Sequence, residues 1–236
     1  DHKQYLGTLP NLLPKAKEII DKHDLVISIG SNVFDGFFYI KGQLFGNKTY
    51  HAHIDSSASA ISRNEQTNLG IISSPNTALK SLIDNVNSKI DGEVREKISL
   101  RTKDIHKEFE KIFSANKKTT QDKFNENPMS SYRLFSELSE VLSKDVIIID
   151  DSVSSRQALM ATNNFKSKKL YGERGGAIGW GMGATMGVKL ANPDKNVIGI
   201  IGDGSAMMTM QALWTAANSK IAVIYIICNN KSYRVL

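Results

Sequence analysis

Two Rossmann-like α/β units with parallel sheets are what this sequence predicts, on three observations. Short runs rich in isoleucine and valine recur at strand length, as at 25–29, 197–201 and 221–228. Stretches of helical period lie between most of them, and polar or glycine-bearing turns such as Gly30-Ser31-Asn32 and Gly202-Asp203-Gly204-Ser205 close the strands. Alternation of this kind is the pattern of a doubly wound sheet.

The elements follow in order. Residues 11–23 read as a helix, 25–29 and 48–54 as strands, and 76–86 as a closing helix. No GxGxxG fingerprint follows the first strand, so nothing in this unit argues for a dinucleotide. His51 and His53 face the same side of their strand, but no third ligand of fitting spacing accompanies them, and surface histidines are the expectation over a metal site. The run from 93 to 123 alternates charge signs and carries Ile98, Ile105, Phe109 and Ile112 at the spacing of one apolar helix face. It reads as a solvated helix connecting two domains. Pro128 then precedes a helix at 130–142, a strand at 146–149 and a polar turn at 150–155. Gly179, Gly183 and Gly187 recur every four residues, which on a helix makes a smooth stripe open to another backbone. A strand at 197–201, a helix at 207–219 and a strand at 221–228 complete a βαβ unit. The expected domains are 1–92, a connection at 93–127, and 128–236.

Composition excludes several function classes. The chain has 236 residues, 41% hydrophobic and 23% charged, with net charge +6, enough for two compact α/β units. Lysines are scattered among acids rather than gathered in a stripe, which argues against nucleic acid. No apolar run reaches membrane-spanning length and the first residues lack a secretory core, so a cytoplasmic location is the default. The single cysteine, Cys228, ends a buried strand and reads as inert packing.

The chemistry is written at the ends of the last two strands. A right-handed crossover brings the carboxyl ends of parallel strands to one sheet edge, so Asp203 and Asn230 are expected to meet there. Magnesium takes about six oxygens and usually draws some of them from substrate phosphates. Asp203 offers a carboxylate, Asn230 an amide oxygen and Ser232 a backbone carbonyl. Gly204 lets the backbone approach a phosphate, and Ser205 stands near a helix N-terminus that favours an anion. The turn at 150–155 is a second place to grip a phosphate, or else a helix N-cap supplied by Ser152 or Ser154.

The run from Gly202 through Asn230 resembles the thiamine diphosphate motif, and the preceding glycine-rich stretch resembles the benzoylformate decarboxylase branch of the pyruvate decarboxylase and acetolactate synthase superfamily. The likeness extends over nearly the whole chain. It implies part of a central domain followed by part of a diphosphate-binding domain, and hence a fragment. It implies thiamine diphosphate and Mg2+ as cofactors, with Ser154 binding phosphate, the Gly176 carbonyl accepting the aminopyrimidine's amino group, and Ile178 as the apolar wedge beneath the bent cofactor. The activating glutamate would belong to a pyrimidine-binding domain outside this sequence, often on another subunit. This chain alone is then expected to be inactive, and the complete protein a homodimer or homotetramer acting on a small 2-oxo acid.

Three positions depart from that branch. Val153 stands where it has a threonine, Phe37 where it has an active-site histidine, and Arg234 where it has a small residue. Leu236 matches a leucine lining the substrate pocket. Arg234 would pair with a carboxylate or reach solvent. Three functions stay open: a lyase decarboxylating a 2-oxo acid, an acetolactate synthase-like carboligase, and a non-catalytic cofactor-binding or assembly module.

Overall fold

The computed structural model describes residues 2, 4–9, 13–32, 41–162, 169–172 and 176–233. Phe37, Arg234 and Leu236 lie outside them, as does Gly175. The chain divides into two α/β units, Leu6–Asp104 and Ile105–Leu236, the latter joined by Asp1–Tyr5. The division falls within one long helix.

In the first unit, β1 (Leu25–Ile29), β2 (Tyr50–Asp55) and β3 (Leu69–Ile72) form a parallel sheet in that order. Helix α1 (Leu13–Ile20) buries Ala16 and Ile20 with Leu44 and Phe45. Helix α2 (Pro75–Asn87) starts with proline at its first turn, where the missing N–H costs nothing. Strand β3 was not foreseen, because LGII is short and exposed at the sheet edge.

The histidines are not at the surface as expected. On the central strand His51 is 0% and His53 1% exposed. The His51 ring stacks on Phe45 at 4.0 Å, its Nδ1 lies 2.9 Å from the Gln66 carbonyl, and its Nε2 lies 2.9 Å from Ser28 Oγ. A carbonyl only accepts, so in neutral His51 Nδ1 holds the proton and Nε2 accepts from the serine hydroxyl. His53 stacks 5.8 Å away, and its buried Nε2 meets no partner among the described residues.

Helix α3 (Gly92–Asp122) spans the predicted connection in one piece. Ile98, Ile105, Phe109 and Phe113 are half-buried on one side while Ile112, expected on that face, is exposed, and the charged residues face water, some in pairs such as Lys97–Glu93 and His106–Glu110.

In the second unit, α4 (Ser131–Val141) leads to β4 (Ile147–Asp151), a 3-10 turn (Val153–Ser155) and α5 (Arg156–Ala161), then β5 (Lys169–Gly172). Next come α6 (Gly181–Ala191), β6 (Val197–Gly202), α7 (Asp203–Met208), α8 (Ala212–Asn218) and β7 (Ile224–Cys228). All strands are parallel, in the order β5-β4-β6-β7. Alternate side chains of β4 and β6 feed two cores. Ile148, Ile198 and Ile200 pack with Phe135 and Leu159 of α4 and α5, while Ile147, Ile149 and Val197 pack with Trp180, Ala184 and Val188 on the other side.

The chain steps outward from β4 to β5 and then returns past β4 to β6. That reversal places a topological switch point between β4 and β6, with a crevice at their carboxyl ends. No helix among the described residues is long and apolar enough to cross a membrane.

Three sequence expectations need correction. The turn foreseen at 150–155 begins later, because Asp150 and Asp151 continue β4 opposite Ile200 and Ile201. The helix foreseen at 207–219 starts at Asp203 and breaks after Met208, where Thr209 leaves helical geometry and its hydroxyl donates to the Gly179 carbonyl at 2.7 Å. The glycine stripe is not formed on one helix: Gly179 precedes α6, where a β-carbon would lie 3.5 Å from the Ser205 carbonyl oxygen, and a β-carbon on Gly183 or Gly187 would meet nothing within 4 Å among the described residues.

Burial holds the His51 imidazole below the ordinary histidine value, opposed first by the hydrogen bond to the Gln66 carbonyl, then helped by His53, with Glu65 pulling slightly the other way. The unfolded chain therefore binds the proton more readily. Stability from this group is complete above about pH 6.5 and falls as pH drops toward the folded value, by at most about 1.4 kcal/mol per pH unit. Urea unfolding followed between pH 8 and 5 should show this loss in the wild type and a flatter profile in His51→Asn.

Candidate functional site

The crevice is built from the ends of β4, β6 and β7. Register pairs Asp151 with Ile201 and Gly202 with Cys228, so the residues just past β6 and β7, Asp203 and Asn229-Asn230, emerge at one level. Hydrogen bonds close the arrangement. Asp203 Oδ2 accepts from the Lys231 amide at 3.1 Å, and Asn230 Nδ2 donates to Ser154 Oγ at 3.1 Å. The 229–232 turn is shaped by its own asparagines: Asn229 Oδ1 accepts from Lys231 N at 3.0 Å, and Asn230 Oδ1 accepts from Ser232 N at 2.9 Å. Asp203, Asn230, Ser232 and Ser154 thus sit together around one spot.

Gly204 and Ser205 lie in the first turn of α7. A side chain on Gly204 would press on the Tyr233 ring, with the nearest atom at 3.1 Å. The Ser205 hydroxyl is 3% exposed and turned inward, donating to Asp151 Oδ1 at 3.2 Å, so only its amide faces the helix entrance. Gly176 is exposed with φ +80, and Ile178 is half-buried in the same loop.

Neither Ser152 nor Ser154 caps a helix with its side chain. Asp150 Oδ1 accepts from the Ser152 amide at 3.1 Å and the Ser152 hydroxyl at 2.6 Å, while Asp150 Oδ2 accepts from Arg156 at 3.0 Å. The next residue, Val153, is held at φ +45, a region that disfavours a β-branched side chain and costs roughly 1–3 kcal/mol. That strained step presents Ser154 to Asn230.

Asp151 is the buried carboxylate that sequence reasoning placed in a turn and gave no role. It is 1% exposed, and its Oδ2 accepts from the amides of Gly179 and Gly181, each at 3.0 Å. Burial pushes its carboxyl above the usual range, opposed by those amides and by Ser205. Burial also pushes the Cys228 thiol up, in keeping with a neutral packing role.

Residues 1–82 match the family described as "Thiamine pyrophosphate enzyme, central domain", and residues 157–236 match "Thiamine pyrophosphate enzyme, C-terminal TPP binding domain". The chain belongs to the thiamine pyrophosphate enzyme family. Within that family, it is 22% identical to benzoylformate decarboxylase of Pseudomonas aeruginosa over 236 residues, covering 100% of this chain and 41% of that protein. It is 28% identical to the acetolactate synthase isozyme 1 large subunit of Escherichia coli over 242 residues, covering 96% of this chain and 40% of that protein. The chain therefore spans well under half the length of these relatives. Among solved structures, the thiamine diphosphate-dependent 4-hydroxybenzoylformate decarboxylase of Rhodococcus jostii RHA1 shares the fold with TM-score 0.69 at 21% identity, over 98% of this chain and 41% of that one.

Gly179 is, with Gly181, one of two tight points of this glycine-rich loop. Its φ is +92, and a β-carbon there would lie 2.5 Å from Met208 Cβ. Left-handed strain and overpacking add, so Gly179→Ala should destabilise the protein by about 2–4 kcal/mol in denaturant unfolding. A change below 1 kcal/mol would show that the loop relaxes freely.

Proposed function

We propose that this chain supplies the diphosphate-binding half of a thiamine diphosphate- and magnesium-dependent enzyme that decarboxylates a 2-oxo acid. The observation that carries the reading is the closure of three strand ends on one another, Asp203 to the 229–232 turn and that turn to Ser154. The donor set fits a small hard cation: a half-buried carboxylate, an amide oxygen and a backbone carbonyl, with no sulfur or imidazole. Gly204 puts no side chain between a phosphate and the first amides of α7, although the Tyr233 ring lies close over that position, 3.1 Å from where a β-carbon would be.

In this reading Asp203, Asn230 and the Ser232 carbonyl hold magnesium. The amides of Gly204 and Ser205 and the Ser154 hydroxyl hold the diphosphate, the helix entrance favouring its charge. The Gly176 carbonyl orients the aminopyrimidine end, and Ile178 fills the space beneath the cofactor. Thiamine diphosphate, when bound, supplies the carbanion that adds to the 2-oxo group and accepts the electron pair left by carbon dioxide. The chain itself binds and orients. The acid-base group on the pyrimidine side would come from a domain outside this sequence, in a homodimer or homotetramer.

A carboligase of the acetolactate synthase kind is the second reading, supported by the likeness to the Escherichia coli large subunit over 96% of this chain. Both readings use the same residues, since they part only at the fate of the carbon that has lost carbon dioxide. A pure assembly module would have no use for the Asp203 carboxylate placed beside Asn230, whereas a non-catalytic cofactor-binding module would keep it.

In the protein at its natural length, Asp203→Ala should abolish magnesium-dependent binding of thiamine diphosphate by calorimetry. Unchanged affinity would remove Asp203 from the metal. Ile178→Ala should lower turnover per folded molecule at least tenfold while leaving the melting temperature nearly unchanged. A purely packing role would do the reverse, costing about 2–5 kcal/mol of stability with turnover kept.

A further inference from the structure

The Asp151 carboxylate grips two separate segments from one buried position. Through Oδ2 it holds the amides of Gly179 and Gly181, the loop that enters α6; through Oδ1 it holds the Ser205 hydroxyl in the first turn of α7. Thr209 ties the same loop a second time, donating to the Gly179 carbonyl. Among the described residues no cation pairs with it, and the Arg156 guanidinium is spent on its neighbour Asp150. Among the described residues the Asp151 carboxylate is met by two backbone amides and one hydroxyl. These two segments carry the residues assigned above to opposite ends of the cofactor, Gly176 and Ile178 on one side and Asp203–Ser205 on the other.

We propose that Asp151 is a positioning residue that sets the separation between the segment 176–178 and the start of α7, so that one bent cofactor is held correctly at both ends. It touches neither cofactor nor substrate. A ligand gripped at two ends demands a fixed span, and a displacement of about 1 Å can cost on the order of a hundredfold in rate once it carries the reacting atom out of line. A carboxylate at the end of the most buried strand is a stiff strut: its own backbone is locked in β4, and the Cβ that Gly181 lacks would lie 2.5 Å from the Asp151 Cβ, leaving no room to slide. Asparagine keeps the shape but replaces one strong acceptor with a donor, so it should loosen only the Ser205 side or only the glycine side.

This inference rests on the proposed cofactor site, and the test separates the two. In the natural-length protein, calorimetry compares binding of magnesium thiamine diphosphate with binding of magnesium and inorganic diphosphate, which has only the phosphate end. For Asp151→Ala the expected result is at least tenfold weaker thiamine diphosphate binding with inorganic diphosphate within twofold of wild type, and for Asp151→Asn the same pattern at smaller size. Thr209→Val, which cuts the second tie and leaves the core carboxylate in place, should show the pattern even if the Asp151 variants do not fold. Parallel loss of both ligands, or no loss of either, would overturn the positioning role. Failure of the wild type to bind thiamine diphosphate would instead overturn the site itself.

Discussion

A carboxylate that has been taken out of water must find hydrogen-bond donors, and the way Asp151 finds them shapes the whole sheet edge. Its donors come from the loop before α6 and from α7, segments that the Thr209 hydroxyl ties together a second time. Loop 176–181 is thereby drawn over the end of β4, and α7 is seated where β6 leaves the sheet. Hydrophobic burial makes the sheet. The buried acid decides what stands at its edge.

Its neighbour works differently. Asp150, equally buried, is balanced by Arg156 and by both groups of Ser152, and that tight turn carries Val153 into left-handed backbone. The unfavourable conformation is tolerated because the turn around it is over-determined, and it delivers Ser154 to Asn230. Two adjacent carboxylates on a strand point to opposite faces, so one organises the side of α5 and the other the side of α6 and α7. The site at the switch point is thus held from both faces of the sheet.

Much of the second unit was legible in the sequence. Strand 197–201, the acid after it and the asparagines after the last strand could be placed together, because helical and strand periods are local and parallel crossovers have one hand. The first unit was read less completely. Strand β3 is four exposed residues, too short and too wet to show a period, and the short edge strand β5 was missed in the second unit for the same reason. His51 and His53 looked like surface residues, since polarity alone cannot reveal that β2 lies between two other strands and that Ser28 and Gln66 are waiting for an imidazole.

By itself, then, the sequence determined the parallel α/β class, the order of the longer strands and the oxygen-rich pair Asp203 and Asn230, all of which follow from spacing along the chain. Tertiary structure alone decided that Asp151 turns inward, that Ser205 spends its hydroxyl on it, and that the helix after Asp203 breaks at Thr209. The partners of Asp151 lie 28, 30 and 54 positions away, and that of Thr209 lies 30. No local pattern encodes such pairings, because a buried polar group is satisfied by whatever folding brings within hydrogen-bond reach.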